Sequence, residues 1–152
     1  MKIHRDLREF IALLNSHAVE YVIVGGHAVA YHGYPRFTGD VDFFVRASAA
    51  NAARLISVLH TFGFTDTADL EPTLIETGKV VQLGRPPNRI DILTGISGIS
   101  FDEALDGSVA TELDGLPVPM IGFDALVKNK SATGRPKDLA DLEQLKKPPK
   151  LD

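Results

Sequence analysis

Three aspartates in apolar surroundings are the side chains of this sequence that point most directly to chemistry. Asp40 and Asp42 stand one residue apart within the run DVDFFV, and Asp91 stands between two isoleucines in the string RIDIL. Neighbouring carboxylates repel each other, and burial worsens the repulsion unless a cation neutralises them. A hard divalent ion with oxygen ligands, Mg²⁺ above all, suits such a group. The sequence therefore predicts a metal site made of these aspartates.

A glycine pair precedes the first two aspartates. Gly25 and Gly26 follow the β-branched and aromatic run at 21–24 and precede a segment with room for a short helix. At such a position, backbone N–H groups and the positive end of a helix can approach a phosphate without obstruction by side chains. Carboxylates for a metal and a glycine turn for a phosphate together favour phosphoryl or nucleotidyl transfer. Taken singly, each motif is also compatible with a tight turn or a solvated acidic edge.

The alternation of side chains along a strand explains how charges fit into apolar runs. In a strand over 40–45, Asp40 and Asp42 face one side while the valines and phenylalanine between and after them face the core. In a strand over 89–93, Asp91 likewise faces away from the two isoleucines beside it. If these two strands are neighbours, the three carboxylates converge at one site.

Hydrophobic periodicity predicts the elements that carry these residues. An i, i+3, i+4, i+7 pattern indicates a helix over 4–16, and Ser48 is a suitable N-cap for a helix that reaches His60. Strands are predicted at 21–24, 40–45, 79–83 and 89–93, with a hairpin joining the last two, and a strand pair across 114–115. Short helices are predicted at 27–31 and 101–105, and two C-terminal helices flank residues 134–136.

These elements predict an α/β (α+β) fold, with helices packed on a small mixed β-sheet. We expect a single domain over residues 1–152, with a core at about 20–121 and a C-terminal helical segment at 122–147. The length and the 44% hydrophobic content suit one globular core.

Composition excludes several function classes. The chain has no cysteine, which excludes a disulfide scaffold and thiol chemistry and favours the cytoplasm. No apolar run reaches the roughly 18 residues of a membrane span, so no membrane partner is expected. The net charge of -4 argues against a protein that coats nucleic acid, but residues 128–150 hold seven basic and three acidic side chains. Such a basic segment suits a polyphosphate or an RNA acceptor.

The order of these motifs resembles the DNA polymerase β-like nucleotidyltransferase superfamily, whose pattern is a glycine pair, a spacer and Asp-x-Asp. Here thirteen residues separate Gly25-Gly26 from Asp40-Val41-Asp42. Many members have Gly-Ser in place of Gly-Gly, so one hydroxyl contact to phosphate is absent here. The resemblance extends from about residue 20 to residue 145.

Within that superfamily the chain looks most similar to the AbiEii and MenT group of toxin/antitoxin nucleotidyltransferases. The string Arg36-x-Thr38-x-Asp40-x-Asp42 matches a common motif of this group. A second signature of the group, a lysine followed by Arg-x-Lys-Asp-Leu, stands here as KSATGRPKDL, residues 130–139.

The resemblance implies a nucleotidyltransferase fold and the Mg²⁺-dependent transfer of a nucleoside monophosphate from a nucleoside triphosphate to a hydroxyl, with release of pyrophosphate. Two Mg²⁺ ions are expected, with Mn²⁺ as a substitute. Asp138 would have an orienting role, for instance on Lys130. The implied metal ligands are Asp40, Asp42 and Asp91. The implied catalytic residues are these three aspartates together with Lys130 and Asp138. The implied nucleotide-binding residues are Gly25, Gly26, Arg36, Thr38, Lys130 and Arg135.

Several alternatives stay open at this stage. The acceptor can be the 3′ end of transfer RNA, a hydroxyl of a partner protein, or an aminoglycoside or lincosamide antibiotic. The chain can be the toxin-like component that pairs with a cognate antitoxin, or a non-catalytic nucleotide-binding or antitoxin module with the same fold. Lys130 can be a solvated lysine, and Asp138 can simply stabilise a helix N-terminus. The nucleotide base and the oligomeric state are not indicated.

Overall fold

The computed structural model of the chain describes residues 3–33, 39–85 and 88–145. Within these ranges seven helices pack around one six-stranded sheet. The helices are α1 Arg5–Ser16, α2 Gly25–Tyr31, α3 Ala49–Phe62, α4 Leu70–Ile75, α5 Phe101–Asp106, α6 Phe123–Thr133 and α7 Pro136–Leu145. The strands are β1 Tyr21–Val24, β2 Val41–Val45, β3 Val80–Leu83, β4 Ile90–Leu93, β5 Val109–Leu113 and β6 Leu116–Met120.

The sheet is mixed, and its strand order is β3-β4-β2-β1-β6-β5. β1 pairs antiparallel with β2 and parallel with β6, while β2 pairs parallel with β4. Two hairpins, β3-β4 and β5-β6, form the two edges of the sheet. The predicted fold class is confirmed. The two aspartate-bearing strands are neighbours, which the sequence left open.

The central strand β2 is held by packing on both of its faces. On one face the Phe43 ring meets the edge of the Phe10 ring, with 5.5 Å between the centroids, and Phe10 also packs against Phe62. On the other face Phe44 packs against Phe101 of α5, at 5.3 Å. All of β2 except Asp42 is buried. The apolar packing therefore fixes the strand that carries the carboxylate.

Most predicted elements are present, with boundaries that differ by one or two residues. Ser48 caps α3 as predicted, since its side chain accepts a hydrogen bond from the Asn51 amide. The helix α4 was not predicted, because it has only six residues, contains a proline and buries only Leu74. No helix in the described ranges is long and apolar enough to cross a membrane.

Asn51 fastens the start of α3 to two strand ends. Its Oδ1 accepts a hydrogen bond from the Glu20 amide at 2.8 Å, just before β1. Its Nδ2 donates to the carbonyls of Glu20 and of Arg46, which follows β2, each at 3.0 Å. The side chain is fully buried, so it relies on these backbone groups for its hydrogen bonds.

We expect Asn51→Ala to lower the free energy of unfolding by about 1–3 kcal/mol, because the Glu20 amide loses its partner and the Glu20 and Arg46 carbonyls each lose one of two hydrogen bonds. Urea denaturation followed by circular dichroism measures the change. The matched control is Ser57→Ala on the exposed part of α3, which should change stability by less than about 0.5 kcal/mol. Equal stability of both variants would contradict this role of Asn51.

Candidate active site

The half-buried carboxyl group of Asp42 and the buried one of Asp91 face each other across the β2-β4 pair. The parallel register places Asp42 directly opposite Asp91. Burial raises the pKa of Asp42 to about 7, and the Asp91 charge, a hydrogen bond between the two carboxyl groups and the Asp40 charge act in the same direction, while Lys130 opposes them. Asp42 therefore holds its proton to a higher pH than an exposed aspartate does.

Gly25 brings the glycine turn into direct contact with this pair. It stands where β1 passes into α2, and its φ of 71° lies in the left-handed region that favours glycine. A Cβ atom at this position would overlap Oδ2 of Asp42. Any other residue would displace the carboxylate, so the glycine is required by the position of Asp42. Gly26 follows within α2.

Arg89 connects the other two aspartates. Its backbone amide donates to Oδ1 of Asp40 at 2.8 Å, and its guanidinium lies 3.8 Å from Oδ2 of the same residue. The guanidinium also donates to both Asp91 oxygens, at 2.7 and 3.0 Å. Sequence reasoning missed this residue, although its i, i+2 spacing from Asp91 places both on one side of an extended chain.

The C-terminal helices contribute a buried ion cluster. Lys130 in α6 is only 6% exposed, and its Nζ lies 2.9 Å from Oδ1 of Asp138 and 3.2 Å from Oδ2 of Asp141 in α7. Lys130 is thus a buried charge and not a solvated lysine. Asp141 was not singled out from the sequence, although its i, i+3 spacing from Asp138 places both on one face of a helix.

Arg135 completes this cluster from the cleft side. Its Nε donates to Oδ2 of Asp138 at 2.6 Å, while the side chain as a whole is 69% exposed. Burial alone would raise the pKa of Asp138, but hydrogen bonds from Arg135 and Lys130 outweigh it and hold that pKa well below its usual range. Asp138 therefore stays ionised between two cations.

A cleft of about 730 Å³ separates the two groups of charges. Gly25 and Asp42 line it from the sheet, and Lys130, Arg135 and Asp138 line it from α6 and α7. The charges of Lys130 and Arg135 both interact with that of Asp42. The volume of the cleft is in the range of pockets that hold small molecules and cofactors.

Not every predicted site residue can be placed in this arrangement. Arg36 and Thr38 lie outside the described residues, as do the basic side chains of Lys146, Lys147 and Lys150. Asp40 lies beside the pair, held by Arg89. Over residues 3–33, 39–85 and 88–145, no group of three or more acidic or histidine side chains has the arrangement that holds a metal ion.

The chemistry of the donor set nevertheless fits a divalent cation. Asp42 and Asp91 offer facing carboxylate oxygens, which are the ligands that Mg²⁺ uses in proteins. Because Gly25 has no side chain, nothing from this position occupies the space of the Asp42 carboxyl group. A bound cation would offset the carboxylate repulsion that, together with burial, raises the pKa of Asp42.

The sequence matches the family described as "Nucleotidyl transferase of unknown function (DUF2204)" over residues 3–150, so the chain belongs to that family. The predicted class of enzyme, a nucleotidyltransferase, is thereby confirmed. No curated protein is significantly similar in sequence.

The fold is similar to those of two antibiotic-modifying enzymes. The crystal structure of the lincosamide antibiotic adenylyltransferase LnuA with bound lincomycin shares 16% identity and a TM-score of 0.55, over 96% of this chain and 98% of that one. The crystal structure of ANT(2'')-Ia with adenylyl-2''-tobramycin shares 14% identity and a TM-score of 0.57, over 91% and 84% of the two chains. These likenesses support the nucleotidyltransferase fold.

Asp42→Asn should stabilise the metal-free chain above neutral pH. The pKa of Asp42 rises from 3.8 to about 7 on folding, so the folded chain keeps a proton that the unfolded chain loses. The free energy of unfolding therefore falls as the pH rises through that interval. Asparagine does not ionise, so the variant gains about 2–4 kcal/mol over the wild type at pH 8 and little at pH 4.

Urea unfolding with a chelator present, at pH 4, 6 and 8, measures this gain. Asp66→Asn, at an exposed aspartate, is the control and should follow the wild type at each pH. A stability difference for Asp42→Asn that does not grow with pH would show that the Asp42 carboxyl carries no uncompensated charge.

Lys130→Met should lower the free energy of unfolding by about 3–5 kcal/mol, because it leaves Asp138 and Asp141 buried without their shared cation. Arg135→Met removes a mostly exposed partner of Asp138 and should cost less than about 1 kcal/mol. Thermal and urea unfolding of the two variants give the comparison. An equal loss in both would mean that Lys130 is not the main counter-ion of the cluster.

Proposed function

We propose that this nucleotidyltransferase carries out the Mg²⁺-dependent transfer of a nucleoside monophosphate from a nucleoside triphosphate to a hydroxyl acceptor. The observation that carries the proposal is the position of Asp42, which faces Asp91, lies against Gly25 and borders the same cleft as Lys130 and Arg135. A carboxylate for a metal and basic groups for a polyphosphate then border the same space. We treat the whole chain, residues 1–152, as one catalytic domain.

The carboxylates are assigned to the metal. Asp42 and Asp91 would hold Mg²⁺, two ions with Asp40 as the further ligand and Mn²⁺ as a substitute. The bound metal would neutralise charge on the triphosphate and favour ionisation of the acceptor hydroxyl.

The basic residues are assigned to the triphosphate. Lys130 is held in place by two buried carboxylates, so its position next to the cleft is set before a ligand arrives. Asp138 orients Lys130 and Arg135, since it accepts hydrogen bonds from both. The exposed guanidinium of Arg135 is suited to bind phosphate oxygens. We also assign phosphate contacts to the Gly25 and Gly26 amides and to Arg36 and Thr38.

In the reaction, the acceptor oxygen forms a bond to the α-phosphorus and the bond from that phosphorus to the bridging oxygen breaks. Pyrophosphate leaves with the bonding electrons. Asp91 is assigned as the group that receives the proton of the acceptor hydroxyl.

Three classes of acceptor are considered. A small hydroxylated compound of the aminoglycoside or lincosamide kind is supported by the similarity of the fold to that of LnuA, which covers 98% of the LnuA chain. The 3′ end of transfer RNA is supported by the basic residues within 128–150. A protein hydroxyl, and a toxin-like role with a cognate antitoxin, are supported by the AbiEii/MenT-like strings at 36–42 and 130–139.

The test is transfer of label from each α-labelled nucleoside triphosphate, with Mg²⁺, to three separate pools: transfer RNA, total protein, and a panel of aminoglycosides and lincosamides. We expect label in one pool and release of pyrophosphate. Asp42→Asn should lower the rate by at least about 10³-fold, because it removes a metal ligand, while Asp66→Asn should keep the wild-type rate.

The pool that takes up label identifies the acceptor class. Binding of nucleotide without transfer to any pool, and without pyrophosphate exchange, would favour the non-catalytic module. Neither binding nor transfer would refute the proposed reaction.

A further inference from the structure

Arg89 gives the acidic site an internal cation. Its guanidinium contacts Asp91 through two hydrogen bonds, and it lies 3.8 Å from Asp40. The negative charges of Asp91, Asp40 and Asp42 all raise the pKa of Arg89, beside the hydrogen bond to Asp91 that contributes most. The site therefore contains three carboxylates and one guanidinium, which leaves it negative but partly neutralised.

The Arg89 guanidinium and a metal ion would compete for the oxygens of Asp91. Nε donates to one oxygen of Asp91 and a terminal nitrogen donates to the other. Each oxygen thus accepts one hydrogen bond in a paired, planar contact, which is the strong form of the arginine-carboxylate interaction. An ion that takes an Asp91 oxygen has to weaken or replace this contact, and it also meets the repulsion of a nearby positive charge.

The surroundings allow the guanidinium to leave while the carboxylate stays. The Arg89 side chain is 27% exposed, whereas that of Asp91 is 11% exposed. The Arg89 backbone is anchored separately, since its amide donates to Asp40 and its carbonyl accepts from the Val41 amide at 3.2 Å. A change of side-chain rotamer can therefore free Asp91 without movement of β4.

We propose that Arg89 is the resident counter-cation of this site: it holds Asp91 in the metal-free chain, is displaced by a divalent cation, and so sets the affinity for that cation. The inference rests on the proposed function, because it takes Asp42 and Asp91 as metal ligands. Arg89 acts here as a positioning residue, through Asp91 and not on the substrate.

The experiment is calorimetric titration of the full chain with Mn²⁺, without nucleotide. Arg89→Met should bind Mn²⁺ about tenfold more tightly than the wild type, because the competing charge is gone. The same variant should melt at a lower temperature than the wild type in the presence of a chelator, because Asp91 has lost its partner. Arg85→Met, at an exposed arginine on the same hairpin, is the control for net charge and should keep wild-type affinity.

Asp42→Asn separates the failure of this inference from failure of the proposed function. If Mn²⁺ binding depends on Asp42 but Arg89→Met binds equally or more weakly, the inference is overturned and the proposed function stands. If neither the wild type nor Arg89→Met binds better than Asp42→Asn, the metal site itself is refuted and the inference falls with it.

A measurement on the wild type covers the case in which Arg89→Met does not fold. Titration with Mg²⁺ should shift the Arg89 Nε–H resonance in nuclear magnetic resonance spectra as its hydrogen bond to Asp91 is lost. A resonance that does not move, while other residues at the site respond to Mg²⁺, would overturn the inference.

Discussion

The parallel pairing of β2 with β4 is the constraint on which the candidate site depends. It places the Asp42 and Asp91 carboxyl groups opposite each other in a sheet whose core packing leaves neither strand free to shift. Carboxylates in such an arrangement repel each other, and this repulsion adds to burial in raising the pKa of Asp42. Gly25 leaves room for the Asp42 carboxyl group, and the Arg89 guanidinium places a positive charge on Asp91.

The sheet and the C-terminal helices are connected by the segment that follows β4. Gly98 lies so close to α6 that a Cβ atom there would come within 2.7 Å of the Ala132 Cβ. Asn129 in α6 donates to the Ser97 carbonyl at 2.9 Å. The strand that carries Asp91 therefore leads directly to a contact with the helix that carries Lys130. Ser97, Asn129 and Ala132 also line the cleft, so this contact forms part of its wall.

Local sequence patterns predicted the aspartates of the site, but not the charged side chains that contact them. Period-two alternation was enough to place Asp42 and Asp91 on strands, and the order of motifs indicated the fold. That these strands are neighbours depends on long-range pairing, which spacing alone does not determine. The roles of Arg89 and Asp141 depend on what surrounds them in space, because arginine and aspartate at such positions are ordinarily solvated. The burial of Lys130 could not be read from its helix either, since its partners come from α7.

A crystal structure of the chain with Mn²⁺ and a non-hydrolysable nucleoside triphosphate tests the metal site at Asp42 and Asp91 most directly. We expect an anomalous peak in contact with oxygens of both aspartates, with the Arg89 guanidinium moved off Asp91. We expect the triphosphate to extend from this peak toward Lys130 and Arg135. Mn²⁺ bound elsewhere, or a triphosphate outside the cleft between these residues, would contradict these expectations.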